Sequence, residues 1–111
     1  MSEPGQPDLG ALLEKAREAQ EKLQQLQRDL AVRRVEGNAG GGMVTAVVSG
    51  ALRVLEIRIE PELLASGDRE MLQDLVAAAV NAALGSAQQM IQQEMQAASA
   101  GLPGLGNLGG S

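Results

Sequence analysis

The chain has 111 residues, 44% of them hydrophobic, but 17 are Ala and none is Phe, Tyr or Trp, so this length holds one domain with a thin core of Leu, Val, Ile and Met. With no Cys and no His, a disulfide framework, a thiol nucleophile, a zinc-thiolate centre and the commonest general base are excluded, and neither catalysis nor a metal or cofactor is expected. The net charge of −5 argues at first sight against a nucleic-acid partner, because phosphate binding normally needs a basic surface.

Residues 1–7 contain Pro4, Gly5 and Pro7 without any apolar period, which predicts a disordered leader. The stretch lacks a basic region followed by an apolar one, and no run of 18 apolar residues occurs anywhere in the chain. A cytoplasmic protein without membrane association is therefore expected. From Asp8, a good N-cap, Leu9, Leu12, Ala16, Ala19, Leu23, Leu26 and Leu30 fall on the a and d positions of consecutive heptads. The spacing predicts a helix over 9–31, about 34 Å long. So narrow a stripe suits a helical partner better than a broad globular core, although its first and last turns could equally pack on the chain's own sheet.

Residues 32–36 read as a first short strand, and Gly37 to Gly42 as a break in regular structure. Residues 43–49 and 52–60 read as two further strands, punctuated by Gly50 and Ala51, with Leu55, Ile57 and Ile59 alternating against Glu56, Arg58 and Glu60. Two tight connections imply a three-stranded antiparallel meander with one face in water. Pro61 ends the last strand and can start a single helical turn over 61–65. Asp68 is a second N-cap, and Leu72, Leu75, Val76, Ala79, Val80, Ala83, Ala87, Met90 and Ile91 trace one stripe along a helix over 69–98. Beyond Gly85 that helix turns Gln-rich, so its distal half is expected to project. Residues 99–111, rich in Gly with recurrent Leu, read as a flexible tail, which leaves 8–98 as the folded domain.

The Gly37 to Gly42 stretch could suggest a phosphate loop, but no Lys-Ser or Lys-Thr follows and the loop leads into a strand, so a hairpin connection is expected. Carboxylate pairs such as Glu60 with Glu62 and Asp68 with Glu70 come without a nucleophile or a third ligand, and read as solvated charges at element ends. From Asp8 to Glu60 there are eight basic and eight acidic residues, whereas Pro61 to Ser111 has one Arg against five acids. The negative balance therefore lies in the second half and the leader. Lys15 and Lys22 share a helix face, with Arg17 and Arg28 elsewhere on the same rod. These four, with Arg33 and Arg34, are the candidate phosphate contacts; the same pattern also describes a solvated face laced by Glu18–Lys22 and Arg17–Glu21 pairs. A thin core and overlong helices favour a second copy as the source of further burial. Leu23, Leu26, Leu30, Val47, Leu55, Ile57, Leu75, Ala79, Val80 and Ala83 are the candidate interface residues.

The blocks EGNAGGGMV (36–44), VLEIRIEPELL (54–64) and EMLQDLVAAAVN (70–81), in this order, resemble the YbaB/EbfC family. The resemblance spans roughly 9–98. It implies an α+β fold with a long N-terminal helix, a three-stranded meander and a long C-terminal helix, assembled as a tweezer-like homodimer that clasps double-stranded DNA in the nucleoid, with a role in nucleoid organisation or gene regulation. The chain departs from the family pattern in having no basic residue over 84–98, so any grip on DNA falls to Lys15, Arg17, Lys22 and Arg28, helped by Arg33 and Arg34, through backbone charge or shape. The alternative is a protein-interaction module serving DNA-repair or replication proteins without direct DNA binding.

Overall fold

The computed structural model describes residues 8–100, and the readings made for the leader and for the tail from residue 101 lie outside the described residues. Helix α1 (Leu9–Val32) starts where the Ala11 N–H donates to Asp8 Oδ1 at 3.3 Å. It stops at Arg33, whose backbone turns extended while its N–H donates to the Leu30 carbonyl at 3.1 Å. Strands β1 (Arg34–Ala39), β2 (Val44–Ser49) and β3 (Val54–Ile59) form an antiparallel meander in the order β1-β2-β3. The fold expected from the pattern is the fold observed.

The first strand is where the structure corrects the reading. β1 does not break at Gly37 but continues through Asn38 and Ala39, paired from Arg34 with Ser49 to Ala39 with Val44. The reason is a close approach. A Cβ built on Gly37 would lie 2.2 Å from the Ala83 nitrogen and 2.6 Å from its Cα. Glycine is present there so that a helix can lie against the strand's backbone, and only Gly40, Gly41 and Gly42, with φ of 64°, 67° and 96°, make the turn.

Along β2 and β3 the register runs from Val44 with Ile59 to Val47 with Glu56, then shifts to Val48 with Val54. Leu55 is left as the extra residue of a β-bulge, which ends the simple alternation expected for this strand. Helix α2 (Pro61–Ala65) follows with Pro at its start, and Gly67, at φ 72°, turns the chain into α3 (Arg69–Ala100). The Met71 N–H donates to Asp68 Oδ1 at 3.0 Å, confirming Asp68 as a cap. At 1.5 Å per residue α3 is about 48 Å long.

The core lies between α3 and the sheet. Ala79, Ala83 and Ala87, spaced by four, bury completely against Val44, Ala46 and Val48, and Leu63 of α2 closes one end. Helix α3 lies over β1 and β2 and leaves β3 at the margin. Beyond Gly85 it does not project at once as its composition suggested, because Ile91 and Met95 share a cleft of about 210 Å³ with Gln27, Leu30, Ala31 and Gly50. The projecting rod is α1, every residue of which from Leu9 to Glu18 is exposed.

Gly37→Ala is expected to lower stability by about 1–3 kcal/mol through overpacking against α3. Gly41→Ala, whose Cβ meets open space, should cost only the left-handed backbone penalty of roughly 1 kcal/mol. Urea unfolding followed by circular dichroism separates the two, and equal midpoints would contradict the close approach.

Candidate nucleic-acid interface

The α1 rod is 24 residues long, which at 1.5 Å per residue is about 36 Å. Helical geometry places Lys15 and Lys22 within about 20° of each other and about 10.5 Å apart along the axis. Arg17 and Arg28 share another line, about 140° round the rod. Both lines are exposed, but the charges on them have different company. Arg17 is held between Glu14 at 2.5 Å and Glu21 at 3.5 Å, so its charge is cancelled on the helix itself. Arg28 donates to Gln25 Oε1 at 2.9 Å, while the Gln25 amide donates to Asp29 at 2.9 Å. Among the described residues Lys15 and Lys22 have no acidic partner, and the Glu18–Lys22 pair read from the spacing does not form.

The rod is fixed to the body at one end only. Leu30 is 3% exposed, and a Cβ on Gly50 would fall 1.8 Å from the Leu30 carbonyl oxygen, so the β2–β3 turn presses on the last turn of α1. Arg33 pairs with Glu94 of α3 at 3.2 Å, both side chains more than 40% exposed. Nothing local in the sequence links residues 61 positions apart, so Glu94 was invisible as Arg33's partner. Arg53 is a second residue the sequence reading passed over. It shares a cleft with Ala31 and Val32 at the base of the rod and has no acidic partner among the described residues.

Arg34 is engaged elsewhere. Its guanidinium lies 3.4 Å from Glu56 across the sheet, Arg58 pairs in the other direction with Glu36, and Arg58 Nε lies 3.4 Å from Glu56. These pairs span from β1 to β3 over Val47, whose register partners are Glu36 and Glu56 and which is only 1% exposed. The hydrogen bond and charge of Glu36, supported by Glu56, hold the Arg58 guanidinium above the usual arginine range. The outer sheet face thus carries two positive and two negative charges that satisfy one another.

The candidate interface residues also divide. Leu30, Val47, Ala79 and Ala83 are used up inside the single chain, at most 3% exposed; the alanines face their own sheet because only small side chains allow α3 to approach Gly37. Leu23, Leu26, Ile57, Leu75 and Val80 are half-buried, and Leu55, in the bulge, is 47% exposed. These six retain apolar surface. No helix among the described residues is long and apolar enough to cross a membrane.

The YbaB/EbfC DNA-binding family model matches residues 5–102. A nucleoid-associated protein of Caldanaerobacter subterraneus is 41% identical over 104 residues, covering 92% of this chain and 94% of its own. One from Chlorobaculum tepidum is 45% identical over 96 residues, covering 86% and 85%. One from Saccharopolyspora erythraea is 40% identical over 110 residues, covering 99% and 95%. The crystal structure of an uncharacterised Helicobacter pylori protein superposes with a TM-score of 0.57 at 21% identity, over 68% of this chain and 88% of that one, a likeness of fold.

The apolar seat, more than the ion pair, holds the rod to the body. Leu30→Ala is expected to cost about 2–4 kcal/mol, whereas a double-mutant cycle on Arg33→Gln and Glu94→Gln should give a coupling under about 1 kcal/mol, as solvent screens a pair this exposed. Denaturant unfolding of the four proteins measures both.

Proposed function

Because the chain belongs to the YbaB/EbfC DNA-binding family, we propose that it binds duplex DNA in the nucleoid as a homodimer, gripping the sugar-phosphate backbone with its two α1 rods. The observation that carries this reading is the pair Lys15 and Lys22, seven residues apart on one exposed face of a projecting helix and free of acidic partners among the described residues. Arg28 and Arg53 add charge towards the base of the rod. Arg17, Arg33 and Arg34 join only when phosphate displaces Glu14 and Glu21, Glu94 and Glu56 from them. Such a set suits contacts to phosphates, which position a protein on DNA without reading its sequence. A role in nucleoid organisation follows more directly from it than the choice of one regulatory site.

The net charge of −5 does not oppose this, since binding depends on the local field at the rod and falls off within a Debye length of about 8–10 Å. Dimerisation is supported by the apolar surface left on Leu23, Leu26, Leu55, Ile57, Leu75 and Val80, and by the position of β3 at the margin of α3's cover. A second copy supplies a second rod and doubles the number of unpaired cations.

Three cations per rod engaged on two rods correspond to about six phosphates, so affinity should fall about 10³-fold between 50 and 200 mM salt. Lys15→Gln, Lys22→Gln and Arg28→Gln combined should flatten most of that slope, read by fluorescence polarisation on a labelled duplex. Absence of binding at the lower salt, or an unchanged slope in the variant, would favour a protein-docking role for this chain instead. Sedimentation should give twice the 11.5 kDa chain mass, and Leu55→Glu should shift the protein towards monomer; a well-folded monomer at micromolar concentration removes the second rod and with it the proposed clasp.

A further inference from the structure

The two long helices leave the sheet side by side. Leu75 of α3 lies against Gly40, Ala83 against Gly37, and Ile91 and Met95 share a cleft with Leu30 and Gly50. Helix α3 therefore runs from the β1–β2 turn to the end of the sheet where α1 is seated, and continues antiparallel to α1. Met95 shares that cleft with Gln27, so about five further residues bring Ala100, where α3 ends, to about the level of Leu23. Leu23, Leu26 and Ala98 are half-buried. Past that level nothing among the described residues covers the rod: Leu9 is 69%, Leu12 51% and Leu13 71% exposed, and Ala16 is exposed beside them. This bare stripe is about 21 Å long from Leu23 to Leu9, and a helix of about 15 residues without support is marginal in water.

The sequence that follows Ala100 carries a matching pattern. LPG, LGN and LGG succeed one another over 102–110, with a Leu at every third position and no charged side chain. A polyproline II helix has three residues per turn, so it would set Leu102, Leu105 and Leu108 on one side, about 9.3 Å apart, with its backbone groups left to water. The heptads of α1 repeat every 10.5 Å or so, and Ala16 and Ala19 leave hollows on the stripe between Leu12 and Leu23. Pro103 fits that conformation and resists a longer helix. Eight residues, 101–108, reach about 25 Å, enough to span the stripe.

We propose that residues 102–108 dock along the apolar stripe of their own chain's α1, with Leu102 at Ala19, Leu105 between Ala16 and Leu12, and Leu108 at Leu9. A segment tethered beside the stripe meets it at an effective concentration in roughly the millimolar range, far above that of a free partner. Lys15 lies about 100° round the rod from Ala16, so its side of the helix stays open. Docking braces the half of the rod that no described element supports, and it holds whether or not the rod binds DNA.

The chain has no Cys, so Asn107→Cys gives one site for a nitroxide label on the full chain, observed without DNA. Amide resonances of Leu9 to Ala19 are expected to broaden and those of α2 to stay sharp. Leu102→Ser, Leu105→Ser and Leu108→Ser combined should abolish the broadening and speed amide exchange over 12–19 about fivefold, with the protection of β2 unchanged. Leu12→Ser with Leu13→Ser should abolish the broadening equally and leave the solution mass as it was. In a mixture with the nitroxide on one chain and the isotope on another, no broadening is expected. The proposal is overturned by a sharp α1, by broadening that survives the Ser variants, or by broadening between chains in the mixture. A changed mass of the Leu12→Ser, Leu13→Ser variant, which would mark the stripe as a contact between copies, overturns it too.

Discussion

The architecture depends on how closely α3 approaches β1. A core without a single aromatic ring cannot fill a wide gap between helix and sheet, so packing density is reached by bringing two backbones together. Gly37 removes the side chain on the strand, and Ala79, Ala83 and Ala87 keep the facing ridge of the helix low. This contact fixes the line of α3 across the sheet. Along that line Ile91 and Met95 arrive beside Leu30, where Gly50 allows a second close approach to the last turn of α1. The exit of the rod is therefore set by small residues on three separate elements.

The same fold sorts the charges into zones that a net value conceals. On the outer sheet face, Arg34, Glu36, Glu56 and Arg58 neutralise one another above Val47. On the rod, Glu14 and Glu21 pair with Arg17, Asp29 accepts from Gln25, and Lys15, Glu18 and Lys22 have no ion-pair partner among the described residues. At the α2–α3 end Glu60, Glu62, Asp68, Glu70 and Asp74 have no basic partner among the described residues. An acidic protein can present a cationic surface when its acids are either paired or gathered elsewhere, because screening confines each field to its own neighbourhood.

Much of the candidate site was open to a sequence reading for a simple reason. The placement of Lys15 and Lys22 on one face follows from helical periodicity alone, which needs no knowledge of distant residues. Which cations are occupied does not follow from it. The i,i+4 spacing suggested Arg17–Glu21 and Glu18–Lys22 equally, and only the first forms. Arg33 with Glu94 and Arg58 with Glu36 join residues far apart in the chain, and their pairing depends on helix placement and strand register.

The sequence by itself determined the order and kind of the elements, the caps at Asp8 and Asp68, the start of α2 at Pro61 and the family to which the chain belongs. All of these rest on short-range preferences and on patterns of a few residues. Only the tertiary structure decided that Gly37 lies within a strand, that Leu55 bulges out of one, that Ala79 and Ala83 face their own sheet, and that α1 is the rod which projects. Those outcomes depend on which surfaces meet, and an apolar or glycine position carries no mark of the partner it will touch.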